Sequence, residues 1–364
     1  MSAAPHLVVA VTAHGYGHLA QTGPVLNAVR RRLPSLKITL RGDFPAKVLA
    51  EFVDGPVDHA PAPPDFGLAM TSPVDIDWPA SLDRYAALHR DWHGTVEDEM
   101  AALQALAPDL VLSNAGYVTL AAAAELRLPA IGLSSLNWAD IIDHYRGGEP
   151  DVVHMLLEQR MAYAGARPFL RCAPGMKMPG IPRAVDIGPI GRQGRDRRAE
   201  LASGARHLVV VSAGGIRGGT PAAAWPELTG VTYVFARAED ADARRDAVAL
   251  DRLDIPFIDA LASADLLITK PGYGMFVEAA VNRTRLLYAA RDDWPEAPGL
   301  DVFAADHCCA AKLPAGSLDG PGDAAAAAIT ALLTRPAAPA LPPTGIEQAA
   351  DIIATQLTGG SRQT

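Results

Sequence analysis

The feature that most constrains this 364-residue chain is a unit that occurs twice: a short β-branched run, a glycine-rich turn and an amphipathic segment. Residues 6–12 (HLVVAVT) lead into Ala13-His14-Gly15-Tyr16-Gly17-His18, and residues 207–212 (HLVVVS) lead into Ala213-Gly214-Gly215-Ile216-Arg217-Gly218-Gly219-Thr220. Further short apolar runs follow each one. Strands are expected at 36–40, 109–113 and 130–133, and again at 231–235, 265–269 and 285–288. Helices are expected at 21–32, 81–106, 116–126, 275–281, 301–312 and 323–333; the long one at 81–106 rests on Leu82, Tyr85, Leu88, Trp92, Val96, Met100 and Leu103, spaced by three or four. Buried strands alternating with helices make parallel sheets covered on both faces. The expected fold is α/β: two Rossmann-like, doubly wound parallel-sheet domains facing a cleft.

The length calls for two hydrophobic cores rather than one. Pro168, Pro174, Pro179, Pro182 and Pro189 crowd one stretch, which reads as the interdomain connection. The division is then an N-terminal domain at 1–180 and a C-terminal domain at 181–344. A last helix at 345–358 crosses back to the first domain, and 359–364 is a disordered tail. A net charge of −9 excludes a nucleic-acid partner; the dense basic cluster Arg30-Arg31-Arg32 falls at a helix end, where it complements the dipole. Three cysteines without metal-ligand spacing fit a reducing, cytoplasmic location. The first apolar run is too short for a signal peptide or a transmembrane span, which leaves peripheral membrane contact open, as it does the choice between monomer and homodimer.

Four segments carry chemistry. In the first turn, Gly15 and Gly17 let backbone amides approach a ligand, and the helix that follows favours anions. Imidazole as a group titrates near neutral pH and can take a proton from a hydroxyl nucleophile, so His14 and His18 are the candidate bases. The second turn offers amides at Gly214 and Gly215 and the Arg217 guanidinium, which suit a diphosphate. In the third, the 265–269 strand ends in Lys270-Pro271-Gly272-Tyr273-Gly274, and Glu278 lies one turn into the next helix, within reach of a ribose diol. The fourth, Arg291-Asp292-Asp293-Trp294-Pro295-Glu296, places carboxylates where sugar hydroxyls would need acceptors. Trp78, Tyr85, His89, Trp92 and His93 form an aromatic stripe that lines an acceptor pocket or, as such stripes more often do, packs in the core.

In this order the segments resemble those of GT-B glycosyltransferases. The similar branches are the lipid-II N-acetylglucosaminyltransferase of peptidoglycan synthesis and the glycolipid synthases with their TKPGG turn. The glycosyltransferase-like N-terminal domain of plant L-arabinokinase is more similar still, in Leu136-Asn137-Trp138-Ala139-Asp140 and in the acidic segment running to Pro298. The resemblance implies that Glu278 holds the ribose and that backbone groups of a loop at Phe257-Ile258 hold the base. It implies a diphosphate over the middle glycine loop and the KPGYG turn, with His18 as base or donor contact. The donor-site set is then Gly15, Gly17, Gly214, Gly215, Arg217, Phe257, Ile258, Lys270, Gly272, Tyr273, Gly274, Glu278, Asp293 and Glu296. The lipid-II enzyme has glutamines where Glu296 stands, so the donor sugar is not carried over.

The leading expectation is an inverting, metal-independent glycosyltransferase with no tightly bound cofactor. It takes a nucleoside-diphosphate sugar, UDP or dTDP, and an acceptor. One rival is a nucleotide-sugar hydrolase or epimerase on the same scaffold, since a pseudaminic-acid pathway hydrolase is similar at the first turn. Another is a non-catalytic nucleotide-sugar-binding module.

Overall fold

The structure, a computed structural model, describes residues 4–72, 74–201, 204–214, 222–242, 244–318 and 321–359. The expectations placed on Gly215, Arg217 and 360–364 lie outside the described residues. The chain divides into two compact units, one of Met1–Thr71, Asp75–Ile190 and Thr344–Thr364, the other of Ser72–Val74 and Gly191–Pro343.

The first unit contains β1 (His6–Val11), α1 (Gly17–Arg32), β2 (Lys37–Arg41), α2 (Ala46–Ala50), β3 (Asp58–His59), α3 (Trp78–His89), α4 (Trp92–Leu106) and β4 (Leu110–Asn114). It continues with α5 (Val118–Glu125), β5 (Ala130–Ser134), α6 (Trp138–Arg146), α7 (Pro150–Ala164), β6 (Phe169–Cys172) and β7 (Ala184–Ile187). The second contains α8 (Arg198–Leu201), β8 (His207–Ser212), β9 (Val231–Phe235), α9 (Ala238–Ala241), β10 (Ala247–Ala249), α10 (Phe257–Ser263) and β11 (Leu266–Thr269). After these come α11 (Tyr273–Val281), β12 (Arg285–Ala289), α12 (Ala297–His307), β13 (Ala310–Leu313) and α13 (Gly322–Thr334); α14 (Gly345–Gly359) returns to the first unit.

Both sheets are parallel. Their strand orders are β3-β2-β1-β4-β5-β6-β7 and β10-β9-β8-β11-β12-β13. Every residue of β1, β4 and β5 is buried, as uninterrupted apolar runs covered by helices on both faces require. The core of the second unit is built the same way, with Val209, Val211, Tyr233, Phe235, Leu266, Ile268 and Leu287 packed together. In each sheet the chain winds outward in one direction from its first strand, then returns to that strand's other side. The two switch points lie between β1 and β4 and between β8 and β11.

Four expectations are corrected. The helix expected at 81–106 is two, because Asp91 caps a new start: its carboxylate accepts from Gly94 N at 3.0 Å. The proline-rich stretch is not a free connection, since β6 and β7 both join the first sheet and their prolines flank the strands rather than interrupt them. For the same reason the unit boundary falls at Ile190/Gly191 instead of 180/181. The helix expected at 301–312 stops at His307, and Ala310–Leu313 becomes an edge strand beside β12.

Helix α14 packs on α1, burying Ala349, Ala350, Ile353 and Leu357. Arg32, in the last turn of α1, donates to Asp351 Oδ1 at 2.8 Å and to Glu347 Oε2 at 2.6 Å. These pairs are exposed, so the apolar face carries the association. Within α1, Gly23 lies hard against the 52–53 segment: a Cβ there would stand 2.6 Å from Phe52 O. We predict that Gly23→Ala destabilises the protein by about 1–3 kcal/mol in chemical denaturation. Gly17→Ala, whose Cβ would meet nothing within 4 Å, should leave the midpoint nearly unchanged.

Candidate active site

Doubly wound sheets bind ligands outside the carboxyl ends of their strands, at the switch point. In the first unit this places the turn after β1 beside the turn after β4. Gly15 adopts φ +66°, a left-handed conformation that lets the chain turn into α1. His18, in the first turn of α1, is 5% exposed, and its Nδ1 lies 2.9 Å from Asn114 Oδ1 at the end of β4. The orientation of the Asn114 amide follows from its other contacts. Its Nδ2 faces His18 O at 3.2 Å, Gln21 Oε1 at 3.2 Å and Thr22 Oγ1 at 2.9 Å. A backbone carbonyl only accepts, so Nδ2 must lie on that side and Oδ1 on the other. His18 therefore donates from Nδ1–H, and its lone pair sits on Nε2. Burial lowers its pKa to about 4, with the Asn114 bond opposing. The ring is neutral at ordinary pH.

His14 is held in the opposite tautomer. Its Nδ1 accepts from Leu68 N at 3.3 Å, which leaves the hydrogen on Nε2. Both imidazoles meet Trp138 edge to face, with centroids at 5.0 Å for His14 and 5.8 Å for His18. Trp138 opens α6, whose cap Asn137 accepts from Asp140 N at 2.8 Å. The Trp138 amide donates to Tyr163 Oη at 3.1 Å, and Tyr163 in turn donates to Ala115 O at 2.6 Å. The turns after β4 and β5 are thereby tied together.

Asp65 faces the same region. Its Oδ2 accepts from Tyr117 N at 2.9 Å. Burial pushes its carboxyl up to about 7 against that bond, and the Glu99 carboxylate adds to the rise. Arg41 brings little relief because it is committed to Glu99, with Nη2 2.9 Å from Oε2. Asp65 Oδ1, Thr12 Oγ1 and Trp138 Nε1 are buried without a hydrogen-bond partner among the described residues. Polar atoms left this way mark places that water or a ligand completes. The aromatic stripe divides: Tyr85 is fully buried, His89 stacks on Trp92 at 4.9 Å, Trp78 packs on Tyr145, and His93 is exposed.

At the second switch point, Gly214 N donates to Ser212 Oγ at 3.2 Å just past β8. Beside it, β11 ends in the Lys270–Gly274 turn, and α11 begins at Tyr273. Desolvation lowers the Lys270 pKa to about 8, assisted by Arg291 and opposed by Glu296. A Cβ at Gly272 would meet nothing within 4 Å, so its backbone has room for a ligand. Glu278 is 3% exposed, and its Oε1 accepts from Arg192 Nε at 2.6 Å. Phe257 and Ile258, expected in a loop, instead open α10 after Pro256. Their amides belong to a helix N-terminus, which suits a hydrogen-bond acceptor. The acidic segment is not uniformly presented. Asp293 is exposed, Asp292 accepts from Lys312 Nζ at 2.5 Å, and Glu296 is buried with Oε2 accepting from Trp294 Nε1 at 3.0 Å.

Sequence reasoning missed Asn114, Asp65 and Arg192 as parts of these sites, and it gave Trp138 no role. A usable signal existed for Asn114, which ends a buried strand where apolar residues are the rule. Asp65 and Arg192 lie in irregular segments that carry no periodic pattern.

No family profile matches the chain, and no curated protein matches it in sequence. Solved structures do match. The glycotransferase of kitacinnamycin is 18% identical with a TM-score of 0.61, over 98% of this chain and 96% of that one. Spinosyn rhamnosyltransferase SpnG complexed with thymidine diphosphate is 17% identical, TM-score 0.58, over 98% and 96%. Phytolacca americana UGT2 complexed with UDP-2fluoro-glucose and pterostilbene is 15% identical, TM-score 0.58, over 99% and 94%. The chain thus has the two-domain α/β fold of the GT-B glycosyltransferases. No helix among the described residues is long and apolar enough to cross a membrane.

The Asp65 environment yields a stability test. Its carboxyl rises from 3.8 to about 7 on folding. Between those values the unfolded chain releases the proton and the folded one keeps it, so stability falls as pH rises through the window. A tenfold change in proton affinity is worth about 1.4 kcal/mol. Melting curves should show Asp65→Asn gaining on the parent protein between pH 4 and pH 8; a constant difference would contradict the assignment.

Proposed function

We propose that the chain is a glycosyltransferase that moves a sugar from a nucleoside-diphosphate sugar to an acceptor, with inversion and without a tightly held metal. The observation that carries this reading is the pair of histidines held in opposite tautomers at the first switch point. His18 carries its lone pair on Nε2, and His14 carries its hydrogen there. The second unit supplies what a donor needs: helix N-terminal amides at α10 and α11, the Lys270 cation, the Gly214 turn and the Glu278 carboxylate. Arg217 and Gly215 join this set on sequence grounds. The expectation of UDP or dTDP is supported by the thymidine diphosphate and the UDP sugar bound to the similarly folded proteins.

In this mechanism the acceptor hydroxyl or amine gives its proton to His18 Nε2. The acceptor's lone pair forms the new bond at the sugar C1 from the face opposite the diphosphate. The C1–oxygen bond breaks, and its electron pair stays on the departing phosphate. Lys270 and the α11 amides stabilise that charge, which is electrostatic stabilisation of a developing anion. The low pKa of His18 means that its protonated form is short-lived. It also keeps the base unprotonated through the physiological range.

His18→Ala should lower turnover at least about 100-fold, while nucleoside diphosphates still raise the melting temperature. Near-normal turnover would remove His18 from this role. Rapid sugar release by the parent protein without an acceptor would instead favour the hydrolase. The pH profile supplies a further check. Turnover that depends on neutral His18 should have its acid limb near pH 4, because burial holds that ring's pKa at about 4. Asn114→Asp puts a carboxylate on Nδ1 and should move that limb toward neutrality; an unmoved limb would separate the limb from His18.

A further inference from the structure

A closed circuit of direct contacts runs through the first unit beside the two histidines. His14 Nδ1 accepts from Leu68 N at 3.3 Å, and a Cβ on Gly67 would stand 2.6 Å from the same ring. Asp65, just before them, takes the Tyr117 amide on Oδ2 at 2.9 Å, and a Cβ on Gly116 would stand 2.7 Å from that oxygen. Ala115 O accepts from Tyr163 Oη at 2.6 Å, and Tyr163 Oη accepts from Trp138 N at 3.1 Å. Trp138 returns to His14, with ring centroids 5.0 Å apart. Thr12 joins from the end of β1, where its carbonyl accepts from His14 N at 3.0 Å. Three polar atoms on this circuit have no partner among the described residues: Asp65 Oδ1, Thr12 Oγ1 and Trp138 Nε1. Their residues are only 9%, 4% and 0% exposed. Ala13 and Tyr16 in the first turn are exposed, so the circuit borders solvent there. Trp138 also touches His18, which puts these atoms beside the proposed base but outside its hydrogen bonds.

The three atoms specify what completes them. An indole N–H only donates, so Trp138 needs an acceptor. An ionised carboxylate oxygen only accepts, so Asp65 then needs a donor. Burial pushes the Asp65 carboxyl up to about 7, so at neutral pH that side chain is also present as a donor. An ammonium accepts nothing, an ether or a carbonyl donates nothing, and an apolar group does neither. A hydroxyl does both, and it reverses its role as Asp65 titrates. A ligand that leaves buried polar atoms bare forfeits more than a typical hydrogen bond returns, so such a site selects against groups that cannot fill it.

We propose that Asp65, Trp138 and Thr12 form a subsite that holds a second, non-reacting hydroxyl of the acceptor. The acceptor is then a polyol with neighbouring hydroxyls, one presented to His18 and one held here. This rests on the reading of the chain as a transferase with His18 as base. It narrows that reading, because amines and lone hydroxyls leave the subsite unfilled.

The test measures initial rates of transfer from UDP-glucose and dTDP-glucose by the whole chain to two sets of acceptors. One set is polyols: methyl glucoside, methyl galactoside, methyl mannoside and myo-inositol. The other carries a single nucleophile: cyclohexanol, naphthol and aniline. The highest kcat/KM should belong to a polyol. A single-nucleophile acceptor that outruns every polyol overturns the inference and leaves the transferase reading standing. If nothing in either set is glycosylated, the transferase reading fails and takes the inference with it. Monodeoxy analogues of the best polyol then locate the held hydroxyl. One analogue that still reacts should lose about tenfold or more in kcat/KM with the parent protein, but less than about threefold with Asp65→Leu and with Trp138→Phe. The second variant removes the indole N–H and keeps an aromatic ring, so the comparison survives if the first does not fold. A merely structural role would slow the polyol and its analogue alike and leave their ratio at the parent value. That result, or the absence of any such analogue, means that water rather than the acceptor completes these atoms, and it overturns the inference.

Discussion

The side-chain amide of Asn114 joins two stretches that are far apart in sequence. Parallel pairing of β1 with β4 sets Val11 opposite Asn114, so the amide arrives where α1 begins. There it meets His18, Gln21 and Thr22 together. Gln21 passes the contact on to Ser135 at 2.9 Å, at the end of β5. The ends of the three central strands are thereby linked by one buried polar network. Such networks are stable only when each member is satisfied, and a satisfied one permits a single arrangement. The tautomer of His18 is a consequence of strand order as much as of the residue itself.

The second unit solves a similar problem with the same side chain. Asn282 holds the 192–194 backbone against α11 as Asn114 holds α1 against β4. In one case the group being fixed is an imidazole, in the other a carboxylate. Neither is left to find its own rotamer. Side chains that meet a reacting ligand work best when their orientation is settled before the ligand arrives.

The sequence showed the strand–glycine–helix plan because fully buried parallel strands leave long β-branched runs, and both central strands have them. It hid β3, β10 and β13, which are short edge strands with polar or alanine-rich sequences. Such strands are defined by the neighbour they pair with, and that pairing is non-local. Asp91 was hidden for another reason: the apolar spacing of α3 and α4 runs through the break, and one cap residue outweighs it. The titratable residues of the site were legible by type. His14 and His18 stand out beside glycine, but the groups that set their tautomers, Leu68 N and Asn114, lie 54 and 96 residues away. Glu278 was legible among apolar neighbours, whereas Arg192 comes from a segment whose prolines suggested only a connection.

Helix α14 has a bearing on how the chain comes to be folded. It packs on α1, although the entire second unit lies between them in the sequence. During synthesis the first sheet can assemble early, but the outer face of α1 stays uncovered until residues 345–359 have left the ribosome. For all of that interval the apolar surface that Ala349, Ile353 and Leu357 will cover is open to solvent. The second unit, continuous but for residues 72–74, can complete its core first. The half of the protein made first is thus the half finished last.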